Sequence, residues 1–203
     1  MFFNKMKKLG FTMIELLIVI AVLGILAVAV LSAINPIEQI NRGKDTGSRS
    51  DAEQLVSAID RFYAAKSHYP WQIDADSTAV ATTGMVELAS DDVQVGADVT
   101  EMLTNLTSGG TAEIKASFVT RITGSTYRKL SIFNDGVSGS STYVCFLPQS
   151  NSFKDEAWKR YRNVSAGTVV TMPSDFPPEA HPDADCTGAT TAEAATACMI
   201  CLP

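Results

Sequence analysis

The chain has 203 residues, 46% of them hydrophobic, with 16 basic against 22 acidic side chains and a formal charge of −6. That length suits a short tail plus one domain of ordinary size. The acidic balance argues against general nucleic-acid binding, which needs a basic stripe; the one local basic run, Lys159, Arg160 and Arg162, reads as a solvated helix face.

The first ten residues carry Lys5, Lys7 and Lys8 and no acid. Without them the remainder holds 13 basic and 22 acidic residues, a balance of −9. An apolar run follows. No charge falls between Leu16 and Leu31, and Gly24 is its only break. Residues 11–34 would form about 36 Å of helix, enough to cross a hydrocarbon core of about 30 Å. The lysines in front place the N-terminus in the cytoplasm and the bulk of the chain outside. A secretory signal would have a shorter core followed by a small-x-small site. A lipoprotein would carry a cysteine near the run, and none stands there. A plain single-pass anchor fits the run but not the acid at its front, Glu15.

Leu9-Gly10-Phe11-Thr12-Met13-Ile14-Glu15-Leu16 resembles the leader-peptidase site of the type IV pilins and their relatives, the type II secretion pseudopilins and competence pilins. The resemblance covers about the first 70 residues. It implies cleavage between Gly10 and Phe11 by a prepilin peptidase and N-methylation of the new Phe11 amine. It also implies a partner for Glu15. A carboxylate at the centre of a spanning helix costs about 2.5–3.5 kcal/mol on insertion scales, and less near an end, where it snorkels. In a filament core of packed helices the acid needs a cation, and in this family the Phe11 amine of a neighbouring subunit supplies it. Breaking a buried pair leaves an uncompensated charge, so such a pair sets axial register.

Pro36 removes a backbone donor and reads as a kink, with Gly24, Gly43 and Gly47 as further weak points. Between Ser48 and Pro70, Ala52, Leu55, Val56, Ile59, Phe62 and Tyr63 recur at steps of three and four, the pattern of an amphipathic helix. Arg49, Asp51, Glu53, Gln54, Asp60 and Arg61 fill the opposite face. Tyr69-Pro70 closes the helix, as in the pilin and pseudopilin pattern.

Residues 71–112 read as a variable connecting region. Asp98-Val-Thr-Glu101 is a capping box ahead of a short helix with Val99, Met102, Leu103 and Leu106, stopped by Gly109-Gly110. Three strands are expected, at 113–122, 126–133 and 141–147. Thr123-Gly124-Ser125 and Asn134-Asp135-Gly136 would turn between them. Ser152 is expected to cap a helix bearing Phe153, Ala157, Trp158 and Tyr161. From Thr171 the tail is irregular and holds three of the four cysteines. Cys145, Cys186, Cys198 and Cys201 all lie on the non-cytoplasmic side, where disulfides persist, and four cysteines allow three pairings. Cys198-Met-Ile-Cys201 also fits half a zinc site or a redox pair, but a second CxxC is missing and a redox CxxC usually opens a helix.

Other chemistry is sparse. His68 reads as a helix C-terminal dipole partner. His181-Pro-Asp183-Ala-Asp185-Cys186 gathers metal-ligand types within an acidic loop. Some pseudopilins bind calcium in the head, and Asp74, Asp76, Asp91, Asp92, Asp183 and Asp185 offer oxygens, but EF-hand spacing is lacking. Asn105-Leu-Thr and Asn163-Val-Ser match the short glycosylation pattern. No phosphate loop or nucleophile elbow is present, so no cofactor and no enzymatic activity are expected.

The expected fold is α+β. It comprises a basic leader over 1–10, a membrane and filament-core helix over 11–35, an amphipathic continuation over 36–70, and a head over 71–203 with a small antiparallel sheet. The resemblance implies a single-pass inner-membrane precursor, surrounded by lipid before assembly, that becomes a homopolymeric filament outside the cytoplasm. Prepilin peptidase, an assembly platform, an ATPase and minor pilins would be its partners.

Overall fold

A computed structural model of the chain describes residues 10–33, 35–72, 84–88, 102–108, 112–137, 139–163, 166–182, 185–186, 188–191 and 195–203. The chain divides into two units, residues 1–39 and 40–203. The fold is α+β: an apolar N-terminal helix, then further helices and a small antiparallel sheet.

In the first unit α1 runs Met13–Ala33. Its described side chains are exposed all round, Leu16, Ile18, Val22, Leu26 and Leu31 among them. A helix apolar on every side has no solvent face to offer and calls for lipid or other helices. Asn35 accepts from Glu38 N through its side chain at 3.3 Å and from Gln39 N through its carbonyl. It therefore caps α2, Pro36–Lys66, with Pro36 at the first helical position, where a missing N–H is harmless. Pro36 thus opens a helix here.

In the second unit α2 buries Ala52, Leu55, Val56, Ala58, Ile59 and Phe62. The helix ends at Lys66, with Ser67 in the left-handed region (φ 61°) and its N–H on the Tyr63 carbonyl. That is a C-terminal cap usually given to glycine, and it precedes Tyr69-Pro70. Tyr63, Tyr69 and the fully buried Trp71 stack in series, with ring centroids 4.7 and 4.6 Å apart.

Among the described residues the main sheet has the order β1 (Val86–Glu87), β2 (Leu130–Phe133), β3 (Tyr143–Phe146), β6 (Ile200–Leu202), antiparallel throughout. Leu130, Ile132, Val144, Phe146 and Ile200 join the apolar stripe of α2 in one core. α3 (Met102–Thr107) adds Met102, Leu103 and Leu106, and α5 (Asn151–Tyr161) adds Ala157, Trp158 and Tyr161. A two-stranded ribbon, β4 (Arg162–Asn163) and β5 (Thr168–Val169), follows α5.

Several expectations are overturned. Residues 113–122 do not form a strand; α4 occupies Ala116–Ile122. Ile114, Phe118, Val119 and Ile122 recur with helical period, and Ile122 alone of them is fully buried, so one face suffices. Thr123-Gly124-Ser125 ends this helix, with Gly124 N on the Arg121 carbonyl, and is not a hairpin turn. Asn134-Asp135-Gly136 does lie between β2 and β3. α5 is capped by Ser150, whose hydroxyl accepts from Phe153 N, and not by Ser152. The tail is not irregular to its end, because β6 completes the sheet. Asp51 is buried, not solvated. The Asp98–Glu101 capping box lies outside the described residues.

Candidate functional site

The front of α1 is built by a short reciprocal cap. Thr12 N–H and Thr12 Oγ1 both donate to Glu15 Oε2, at 3.0 and 2.7 Å. Glu15 N–H donates back to Thr12 Oγ1 at 3.3 Å. Threonine followed three residues later by glutamate, ahead of an apolar run, is the sequence signature of a capping box. It satisfies helix N–H groups that have no intrahelical acceptor. The spacing Thr12-x-x-Glu15 is visible in the sequence and signals this cap before any external partner of Glu15 is considered. Gly10 and Phe11 precede the helix and are exposed, Phe11 at 83%, and a Cβ at Gly10 would meet nothing within 4 Å. The helix behind the cap, Met13–Ser32, is long and apolar enough to cross a membrane, with none of it buried.

In the head, two buried carboxylates are held by partners within the chain. Asp45, with no exposure, accepts from Ser150 N (2.8 Å), Ser150 Oγ (2.6 Å) and Gln149 N, and forms an ion pair with Arg128. It thereby ties α2 to the start of α5. Asp51 pairs with both terminal nitrogens of Arg121 and accepts from the Tyr127 hydroxyl. Burial and then the Asp51 carboxylate push the Tyr127 phenol well above its ordinary value, so it stays a donor.

The basic run is solvated at Lys159 and Arg160 and half-buried at Arg162. Arg160 pairs with Glu156 and donates to the Cys201 carbonyl, and Arg162 donates to the Ala189 carbonyl at 2.6 Å. Lys159 pairs with Asp155 one turn back. Burial raises the Glu156 carboxyl, but the bonds from Arg49 and Arg160 outweigh it and hold it below the ordinary value.

The cysteines form Cys145–Cys201 and Cys186–Cys198 disulfides. The first joins paired positions of β3 and β6, and the second closes a short loop. The two cysteines of the CxxC thus belong to different bridges, which excludes a common redox or zinc role for them in this state.

His68 lies against the Lys66 carbonyl at 3.0 Å and edge-on to Phe62. His181 packs on the rings of Tyr161 and Phe176. Of the calcium candidates Asp74, Asp76, Asp91, Asp92, Asp183 and Asp185, only Asp185 is among the described residues. Asn105 donates its amide to the Pro70 carbonyl at 2.8 Å, whereas Asn163 is exposed.

Residues 5–31 match the prokaryotic N-terminal methylation motif. The chain carries the prepilin signature of the type IV pilins and pseudopilins. This signature frames the Gly10-Phe11 step, the Thr12–Glu15 cap and nearly all of α1. It is a structural-protein motif, processed by prepilin peptidase, and with the apolar helix it fits a membrane-anchored prepilin-like protein. The whole chain matches no curated protein and no solved structure.

Proposed function

We propose that this prepilin-like protein is a structural subunit of a type IV pilus-like filament. Cleavage falls between Gly10 and Phe11, and the new Phe11 amine is methylated. α1 holds the subunit in the cytoplasmic membrane and then exchanges lipid for the α1 helices of other copies, while the heads form the outer wall. Glu15 pairs with the Phe11 amine of a neighbouring copy and fixes where the incoming subunit docks. An assembly platform and a cytoplasmic ATPase supply the work, and minor pilins can join the same filament. A type II secretion pseudopilus or a competence filament would use the subunit in the same way.

One observation carries the reading: a methylation motif fronts a helix that is apolar on every side and keeps a single acid in its first turn. A carboxylate at that position costs free energy in lipid, a cation from a neighbouring copy would neutralise it, and a uniformly apolar surface suits several neighbours at once.

The test is mass spectrometry of the chain from its native cell envelope, with electron microscopy of sheared surface material. The expected N-terminus is methylated Phe11, and the expected material is filaments containing this chain. Glu15→Leu should leave the subunit cleaved and in the membrane but reduce filaments at least a hundredfold. An N-terminus at Met1, with no filaments, would make the protein a simple anchored one.

A further inference from the structure

Beside the main sheet lies a cavity of about 790 Å³, within the range of about 300–1,000 Å³ usual for small-ligand sites. Residues of α2, β1, β2 and the C-terminal segment line it. Three cations of the lining are already paired: Arg121 with Asp51, Lys129 with Glu87, and Arg128 with the buried Asp45. Two further charges, Lys44 and Glu179, also line the cavity, and neither has a partner among the described residues. Three closed pairs and one lone charge of each sign leave the site with no net charge. Ser131 supplies a second observation. It is 8% exposed, it lines the same cavity, and its hydroxyl makes no hydrogen bond among the described residues. A buried hydroxyl without a partner costs about 1–3 kcal/mol, so this one calls for a guest in the cavity. Leu147, exposed, and Met199, half-buried, add apolar surface to the lining.

We infer that this cavity binds a neutral saccharide. A charged ligand would meet a like and an opposite lone charge together and would gain no net field from a lining whose charges cancel. Sugar hydroxyls both donate and accept, so one small saccharide can serve the Lys44 ammonium, a donor only, the Glu179 carboxylate, an acceptor only, and the Ser131 hydroxyl. Its C–H faces suit Leu147 and Met199. The closed pairs hold Arg121 and Lys129 in place, and Tyr127 is fixed by its bond to Asp51, before any ligand arrives. Such ordering in advance lowers the cost of binding. Every residue used belongs to the second unit, so the inference stands apart from whether α1 polymerises.

The experiment titrates the full chain, solubilised in a detergent without a sugar headgroup, by calorimetry. The probes are three neutral trisaccharides (maltotriose, cellotriose and the N-acetylglucosamine trimer) and two charged ones (trigalacturonate and the glucosamine trimer). At least one neutral trisaccharide should bind with a Kd of about 1 mM or tighter, and the charged ones about tenfold more weakly or worse. Ser131→Val should weaken binding about tenfold, the order of one hydrogen bond. Lys44→Met, at an exposed position, should weaken it about threefold or more. Denaturant midpoints of both variants separate lost binding from lost folding, and if Ser131→Val has a lowered midpoint, Lys44→Met alone decides. The inference is overturned if no neutral trisaccharide binds at about 20 mM, or if a charged one binds as tightly as the best neutral one. It is equally overturned if Lys44→Met, or a fully folded Ser131→Val, binds as the parent does.

Discussion

The acids of the two units are treated in opposite ways. In the head, Asp45 and Asp51 are buried, and each is met by an arginine and further donors from segments far along the chain. At the front of α1, Glu15 is met, among the described residues, only by Thr12, three residues away. The head pairs both of these acids internally and buries its apolar stripe on its own sheet. The N-terminal helix does neither: its apolar surface is open and its acid is half-served. A chain that is self-sufficient in one part and unfinished in another points to a second environment for the unfinished part.

Perturbations of both units sharpen this contrast, measured as head stability by denaturant unfolding of the detergent-solubilised chain. Loss of Cys145–Cys201, with a sequence separation of 56, should destabilise the head by about 4 kcal/mol on the loop-entropy estimate. Loss of Cys186–Cys198, with a separation of 12, should cost about 3 kcal/mol. An equal loss at both would show that loop length does not govern the effect.

Asp45→Ala leaves Arg128 without its buried partner and strips the donors of Ser150, a loss of about 3 kcal/mol. The matching change Glu15→Ala should leave head stability unaltered. If it lowers head stability comparably, the independence of the two units fails.

The smallest effect is with acid. Asp175 is held below its ordinary value first by the Ser141 N–H, and Glu156 is also lowered, with Arg49 and Arg160 outweighing its burial. Both folded values lie below the unfolded ones, about 4. Their contribution is therefore complete above about pH 5 and is lost as the pH falls through the lowered folded values. Glu156→Gln should flatten that acid limb slightly and leave stability at pH 7 within about 1 kcal/mol, since the site is partly exposed.

How much of this was readable beforehand differs by region for a physical reason. Gly10, Phe11 and Glu15 stand within six residues, so their pattern is local and survives in one dimension. The unbroken apolar run and the periodic stripe of α2 are equally plain. Asp51 was placed on the wrong face because its partners, Arg121 and Tyr127, lie 70 and 76 residues away. The cysteine pairing depends on β6 lying beside β3, an adjacency that no spacing reveals. The segment 113–122 failed for another reason: β-branched and aromatic residues suggested a strand, while their spacing was helical. The Thr12–Glu15 cap is legible too, because its spacing is local.

The seam between β3 and β6 also constrains how the head acquires its sulfur bridges. Cys201, which bolts the sheet, follows its partner Cys145 by 56 residues. β6 cannot reach β3 until that stretch has been made, and Cys186 and Cys198 are made before Cys201. An oxidant that acts too early therefore finds Cys145 with only the wrong sulfurs to join.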